Sequence, residues 1–127
     1  MPEDESEEKI LVIAEEDQDL SQSLDLFFTG KFKVKLINKR LDILAGLSGA
    51  VCLLIDAEII HEEGINFLKE IRESFPDLFI VIMDTAFPAA SLKHASLEKY
   101  SNTSVFKPFD ADYIYQVLSR RLNNNKT

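Results

Sequence analysis

The chain has 127 residues, of which 46% are hydrophobic, and this size and composition predict one globular domain with a buried core. Its net charge of −8 is largely local, because residues 1–8 carry five acidic side chains without a base and the remainder carries 17 acids against 14 bases. This balance is unlike that of a nucleic-acid-binding surface. We expect residues 1–8 to form an acidic, disordered tail, and the chain to bind no nucleic acid directly.

The single cysteine and the lengths of the apolar runs exclude two further classes of protein. One cysteine cannot form an internal disulfide framework, and no apolar run reaches the length of a membrane span. No signal-peptide pattern opens the chain, so we expect a cytoplasmic location. Cys52 lies inside an apolar run, which predicts a small buried hydrophobic residue. His61 and His94 have no Cys or acidic partner at metal-ligand spacing, and both are expected to be exposed and structural.

The first part of the domain predicts a strand, a helix and a second strand. The apolar run Ile10–Ala14 is too short for a helix buried all round and indicates a strand. Asp17 or Asp19 can cap the helix that follows, and Gly30 can close it. Lysines then alternate with apolar residues over Lys31–Leu36, which indicates a half-exposed strand at the edge of a sheet.

The remainder of the chain continues the alternation of helices and strands. Leucines at 41, 44 and 47 predict a short helix, and the apolar runs Val51–Ile55, Leu78–Met83 and Val105-Phe106 predict three more strands. Between them we expect a polar loop from residue 56 to 64, a helix that ends before Pro76, and a weaker helix over residues 87–100. A last helix is expected after Asp110 as its N-cap, followed by a polar tail over 123–127.

Strands and helices alternating five times predict a doubly wound (βα)5 domain, an α/β three-layer sandwich of the flavodoxin-like type over residues 9–122. Right-handed crossovers give a parallel five-stranded sheet in the order 2-1-3-4-5. The chemistry then gathers at one edge, because ligands of such sheets bind beyond the carboxyl ends of the strands. The residues that follow the four buried strands are Glu15-Glu16, Asp56, Asp84-Thr85 and Lys107.

Four segments in this order resemble the receiver domain of two-component response regulators, of the CheY-like superfamily. They are IAEEDQDL at 13–20, LLIDAEIIHEEG at 53–64, VIMDTA at 81–86 and VFKPFD at 105–110. The resemblance covers about Lys9 to Leu122. It implies a phosphoprotein of a phosphorelay, which takes a phosphoryl group on an aspartate and then changes its binding to a downstream partner.

Carried over by position, the resemblance implies a role for each residue at the strand ends. Asp56 is the phosphoacceptor, Thr85 the switch hydroxyl and Lys107 the lysine that contacts the phosphoryl group. Mg²⁺ is held by Glu15, Glu16, Asp56 and the backbone carbonyl of Glu58. The family also has a cis peptide before the proline at the position of Pro108. The phosphodonor is a histidine kinase or a histidine phosphotransfer protein, and no enzymatic activity is expected beyond self-phosphorylation and self-dephosphorylation on Asp56.

Three departures from the family pattern concern metal binding and output. The acidic pair is usually Asp-Asp or Glu-Asp, and Glu16 at its second position extends the carboxylate by roughly 1.5 Å, so we expect weak magnesium binding. Ser104 stands where the family usually has Tyr or Phe as its rotating switch residue. Ile60 replaces the usual proline of the loop after the acceptor, and Glu58 adds negative charge near it.

These departures keep a second function open, a degenerate receiver that binds partners without phosphorylation. Each candidate residue also has a structural interpretation: Asp56 as a helix N-cap, the glutamates as solvated residues of a first turn, Thr85 as a strand end and Lys107 as a surface charge. A third function, a phosphatase of the haloacid-dehalogenase type, is remote. Those enzymes carry Asp-x-Asp on the first strand, whereas this chain has its acidic pair first and Asp56-Ala57-Glu58 later.

Overall fold

The computed structural model describes residues 9–60, 64–85, 99–107 and 110–124. Predictions for His61, His94, Pro108 and most of the helix over 87–100 lie outside these ranges. The strands are β1 (Ile10–Ala14), β2 (Lys33–Ile37), β3 (Ala50–Asp56), β4 (Phe79–Thr85) and β5 (Thr103–Lys107). The helices are α1 (Gln18–Phe28), α2 (Ile43–Gly46), α3 (Ala57–Ile60), α4 (Gly64–Ser74) and α5 (Ala111–Asn124), with a 3-10 turn at Arg40–Asp42.

The five strands form one parallel sheet in the order β2-β1-β3-β4-β5, which confirms the predicted fold and strand order. The chain moves outward from β1 to β2, returns to β3, and then continues to β4 and β5 on the other side. The strand order therefore reverses between β1 and β3. That is the switch point at which ligands of open α/β sheets bind, beyond the carboxyl ends of the strands.

Alternate residues of the strands are buried against two separate helical layers. One layer, with α1 and α5, covers the face that carries Leu11, Ile13, Leu54 and Val81. The other layer, with α2, α3 and α4, covers the opposite face, on which Val12, Leu53, Ile55, Ile80 and Ile82 lie. Burial on both faces explains why the central strands are continuous apolar runs, since neither face of β1, β3 or β4 meets water.

The segment after Asp56 is the clearest correction to the predicted elements. A polar loop was expected there, but Ala57–Ile60 is a short helix in which Ile59 and Ile60 are fully buried. The charges at 58, 62 and 63 suggested a solvated loop. The two adjacent isoleucines instead pack into the core on the side of the sheet that α2, α3 and α4 cover. Their burial decides the local structure, because each contributes roughly 1.5–3 kcal/mol when removed from water.

The second predicted helix has the expected position and a different buried face. A 3-10 turn precedes α2, and the residues that enter the core are Ile43 and Leu47. Leu41 is instead 87% exposed. The leucine spacing predicts one continuous α-helical face, but a 3-10 turn has three residues per turn and places Leu41 away from the core.

Both ends of α1 are fixed by local hydrogen bonds. The Asp17 carboxylate accepts from the backbone N–H groups of Asp19 and Leu20, so Asp17, and not Asp19, is the N-cap. At the other end the C-cap is Thr29, and Gly30 follows it with a φ of 95° that a side chain would oppose. Asp110 accepts from the N–H of Asp112 and caps α5 as predicted, although α5 continues to Asn124 and so includes part of the expected tail.

Arg72 ties the end of α4 to the entrance of β5. Its guanidinium donates to the backbone carbonyls of Phe75, Pro76, Leu78 and Tyr100, and to the Oδ1 atom of Asn102 at 2.8 Å. The same Oδ1 accepts from the N–H of Ile80. We call Arg72 and Asn102 with these acceptors the Arg72 clasp. It aligns the start of β5 with β4.

None of the helices in the described ranges is long and apolar enough to span a membrane.

Candidate functional site

The site lies where β1 and β3 end side by side. Ala14 of β1 is in register with Ile55 of the adjacent strand β3. Glu15 and Asp56, which follow them, are therefore neighbours at the ends of these two strands. Paired parallel strands lie about 4.8 Å apart. Alternation places both residues toward the layer of α1 and α5, with Ile13 and Leu54. Sequence reasoning anticipated this meeting of strand ends, and the register shows it.

Glu15 is held in a buried position by its own local structure. Only 1% of its surface is exposed, its backbone N–H donates to the carbonyl of Ile37 at 3.0 Å, and its Oε2 accepts from the N–H of Asp17 at 3.1 Å. The Asp17 N–H lies at the beginning of α1, where backbone donors lack partners within the helix. A carboxylate there is favoured by the positive end of the helix dipole.

Asp56 ends β3 directly before α3. Its side chain is 6% exposed, and Oδ1 accepts from the N–H of Glu58 at 3.3 Å. This bond resembles that of a helix cap, the structural interpretation named for Asp56. A carboxylate has about four lone-pair sites, so a bond of this kind is compatible with a second role for the side chain. The Glu58 side chain is exposed.

Thr85 and Lys107 end neighbouring strands at the same edge of the sheet. They are register partners across β4 and β5, and Asp56 is in register with Met83, two residues before Thr85. Because all strands are parallel, Lys107 lies on the same edge as Asp56, and the expected clustering of these positions is met at the level of the backbone.

Asp84 is a buried acid to which the sequence assigned no role. It is 8% exposed, in register with Phe106, and belongs by alternation to the opposite face of the sheet from Asp56, with Ile80 and Ile82. A third carboxylate is thus buried near the same edge but on the side of α2, α3 and α4. The sequence shows that Asp84 stands at the end of an apolar run, beside Thr85. It does not show that Asp84 and Asp56 lie on opposite faces of the sheet, which the strand register establishes.

The two glutamates of the acidic pair differ in environment. Glu15 is buried, whereas the Glu16 side chain is exposed. On β5, the Ser104 hydroxyl oxygen is buried and has no hydrogen-bond partner among the described residues. A small hydroxyl therefore stands at the position where the resemblance implies an aromatic switch residue.

The carboxylates at this edge fit magnesium, both in their number and as oxygen ligands. Within the described ranges, no three His, Cys, Asp or Glu side chains form a ready-made metal cage. Magnesium does not require such a cage, because it usually takes one or two carboxylates together with phosphate oxygens and waters. Glu15 and Asp56 supply two buried carboxylates from adjacent strand ends.

Cys52 lies in β3 within the layer of α1 and α5, fully buried, as the sequence predicted. Burial raises the pKa of its thiol to about 12, with smaller opposing effects from the charges of Arg121 and Lys9. The thiolate is the reactive form of cysteine. Cys52 is therefore a packing residue that does not take part in the chemistry of the site.

Comparison with known proteins gives a likeness of structure without a match of sequence. No protein-family model and no curated protein matches this chain. A two-component response regulator from Clostridium difficile superposes with a TM-score of 0.79 at 19% identity, over 95% of this chain and 100% of that one. A CheY-like receiver domain protein from Methanospirillum hungatei gives 0.78 at 16% identity, over 94% and 97%.

The chain has the response regulator receiver fold. A third neighbour with this fold belongs to a family of streptococcal redox sensors that evolved from two-component response regulators. It gives a TM-score of 0.79 at 14% identity over 93% of this chain, which spans 52% of that longer protein. Identities this low establish the receiver fold and leave the chemistry to be argued from the residues of this chain.

Proposed function

We propose that this chain is a phosphoaccepting receiver of a two-component phosphorelay, with Asp56 as the acceptor. The observation that carries the proposal is the burial of Glu15 and Asp56 side by side at the switch point, with the register pair Thr85 and Lys107 at the same edge. The receiver fold supports it. The proposed role is signalling in the cytoplasm, with a histidine kinase or histidine phosphotransfer protein as donor and a protein as downstream partner.

In the proposed reaction, a carboxylate oxygen of Asp56 attacks phosphorus and forms an acyl phosphate. The bond between phosphorus and the donor's histidine nitrogen breaks, and the nitrogen keeps the electron pair. Catalysis is mainly positioning and neutralisation of charge on the phosphoryl oxygens. Lys107 supplies a positive charge and Thr85 a hydroxyl donor at the strand ends. Mg²⁺, when bound by Glu15, Glu16, Asp56 and the carbonyl of Glu58, would neutralise charge on those oxygens.

A second candidate function, partner binding without phosphorylation, is favoured by specific features. Glu16 is exposed, and Ser104 stands in place of an aromatic switch residue. A degenerate receiver would use the fold as a binding surface. The redox chemistry of the streptococcal neighbour finds no support at Cys52, since a thiol with a pKa of about 12 stays protonated.

Acetyl phosphate with magnesium separates the two functions. A receiver should gain one phosphoryl group, read by intact mass, and Asp56→Asn should gain none. Asp84→Asn is the matched control, because it neutralises a buried acid at the next strand end on the opposite face of the sheet. Both variants should remain folded by amide NMR. An unmodified wild-type mass at saturating donor and magnesium would instead support the degenerate receiver.

A further inference from the structure

The edge strand β2 and its flanking residues carry a concentration of positive charge. Residues 31–40 contain five basic side chains and no acid, in a chain whose net charge is −8. We call this surface the basic edge; its members are Lys31, Lys33, Lys35, Lys39 and Arg40. β2 has β1 as its one sheet neighbour among the described strands, so its outer backbone edge is not paired by any of them.

Structural roles account for part of this charge. Lys31 donates to the carbonyl of Phe27 at the end of α1 and lies 4.4 Å from the centre of the Phe27 ring, and Lys35 donates to the carbonyl of Gly46 at the end of α2. Both are favourable interactions with helix C-termini. Each ammonium has three donors, and these bonds fix its position without using them all.

Lys33 and Lys39 have no such explanation. Both side chains are exposed, and neither makes a hydrogen bond or an ion pair within the part of the chain that the structure describes. A lysine on an edge strand, such as Lys33, discourages edge-to-edge pairing of sheets, but Lys39 lies beyond the end of β2. The guanidinium carbon of Arg40 lies 5.7 Å from the centre of the Phe67 ring. Lys33 and Lys39 are therefore the two bases whose charge is left for an acidic occupant.

We propose that residues 1–8 of the same chain are that occupant and associate with the basic edge. These residues contain five acids and no base, which matches the charge of the edge. They enter the fold at Lys9, whose carbonyl accepts from the N–H of Lys33, the first residue of β2, at 2.8 Å. The acidic segment therefore begins beside the surface that it complements, and the inference is independent of phosphorylation.

The length of the segment suffices for this association. Eight residues reach at most about 29 Å when extended, and the five residues of β2 span roughly 17 Å. Attachment through Lys9 gives the segment an effective concentration in the millimolar range, which lets weak ion pairs act together. The contact is electrostatic, so it should weaken steeply as salt is added.

Paramagnetic broadening from a spin label on residue 6 tests the association in the full chain. Ser6→Cys keeps all five acids of the segment, and Cys52 is buried and leaves the label specific. At about 0.01 M salt, where the Debye length is about 30 Å, the label should reduce amide signals of residues 36–40, the part of the basic edge distant from Lys9, several-fold. At about 1 M salt, where it is about 3 Å, those signals should recover.

Two charge variants with the same change in net charge complete the test. Lys33→Gln with Lys39→Gln should remove most of the broadening at 36–40, whereas Lys69→Gln with Arg120→Gln, at exposed sites on α4 and α5, should leave it unchanged. Broadening that is insensitive to salt, equal in the two variants, or centred on another surface would overturn the proposal. Equal broadening in a mixture of labelled and isotope-enriched chains would assign the contact to a second copy and overturn it as well.

Discussion

At the scale of single residues, burial distinguishes acids that the sequence treats alike. Glu15 and Asp56 are buried at adjacent strand ends, Asp84 is buried on the opposite face, and Glu16 is exposed. Burying a carboxylate without hydrogen bonds or a partner charge is costly. Glu15 and Asp56 accordingly lie where backbone donors are available, at the start of α1 and of α3 respectively.

The first prediction concerns the acidic pair and rests on the proposed magnesium site. Glu16→Asp should tighten magnesium binding by about 1 kcal/mol, roughly fivefold, because it removes the methylene that displaces the carboxylate. Its stability should change little, since Glu16 is exposed. Calorimetry at fixed ionic strength gives the affinity. Equal or weaker binding would mean that the site is built around the longer side chain.

Glu15→Asp is the comparison for that variant. It should reduce the free energy of unfolding by about 1 kcal/mol, because the shorter side chain loses the bond from the Asp17 N–H. Urea unfolding measures this loss. A Glu15→Asp protein as stable as wild type would show that the Asp17 N–H finds an equivalent acceptor.

The raised pKa of Cys52 makes stability depend on pH above neutrality. Below pH 9.0, the ordinary pKa of a cysteine thiol, the thiol is protonated in both the folded and the unfolded chain, so it does not contribute to the pH dependence of stability. Between 9.0 and about 12 the unfolded chain loses this proton while the folded chain keeps it, so the free energy of unfolding should fall as pH rises. Urea unfolding at pH values on either side of 9 should show a steeper fall for wild type than for Cys52→Ala. Parallel curves would contradict this.

At the scale of elements, the Arg72 clasp shows how a long side chain organises several segments. One guanidinium serves four carbonyls and the Asn102 amide across α4, β4 and the entrance of β5. Burial lowers the pKa of Arg72, with a smaller effect in the same direction from Arg121. Lysine has three donors on one atom and cannot reproduce this planar arrangement.

Arg72→Lys should therefore destabilise the protein by about 2–3 kcal/mol, because carbonyls now bonded to a charged donor lose their partner. Arg120→Lys on the exposed side of α5 is the control and should change stability by less than about 0.5 kcal/mol. Hydrogen exchange of the Ile80 amide, which donates to Asn102, should accelerate in Arg72→Lys only. Unchanged exchange in that variant would place the order of β5 elsewhere.

At the scale of the whole molecule, one sheet supports two cores that share their strands. Phe28 of α1 belongs to one core and Ile71 of α4 to the other, and both side chains are fully buried. Successive residues of β1, β3 and β4 enter opposite cores. Neither helical layer can therefore detach from the sheet without exposing one of its apolar faces to water.

This sharing predicts cooperative unfolding. Phe28→Ala should cost about 3–5 kcal/mol and Ile71→Ala about 2–5 kcal/mol, each through lost burial and a cavity. Both variants should still unfold in a single urea transition with an unchanged slope, as expected for a small single domain. A second transition, or a reduced slope in one variant, would show that one layer unfolds independently.

The sequence by itself determined the strands, their order and the residues that stand at one edge of the sheet. Short apolar runs require burial on both faces, and right-handed crossovers then bring Glu15, Asp56, Thr85 and Lys107 to the same edge. These conclusions need only local patterns and the handedness of connections. The resemblance to receiver domains rests on the same residues, and the structure agrees with it at the level of the fold.

Only the tertiary structure decided which side chains are buried at that edge and what holds the surrounding segments. Glu15 rather than Glu16 enters the interior, Leu41 faces water, and Ala57–Ile60 is helical. Arg72 finds its acceptors up to 30 residues away in sequence. Each outcome depends on contacts between residues that are distant along the chain. A shift of one residue in strand register, or a small rotation of a helix, would exchange the buried and exposed side chains. Neither periodicity nor local propensity therefore specifies these outcomes.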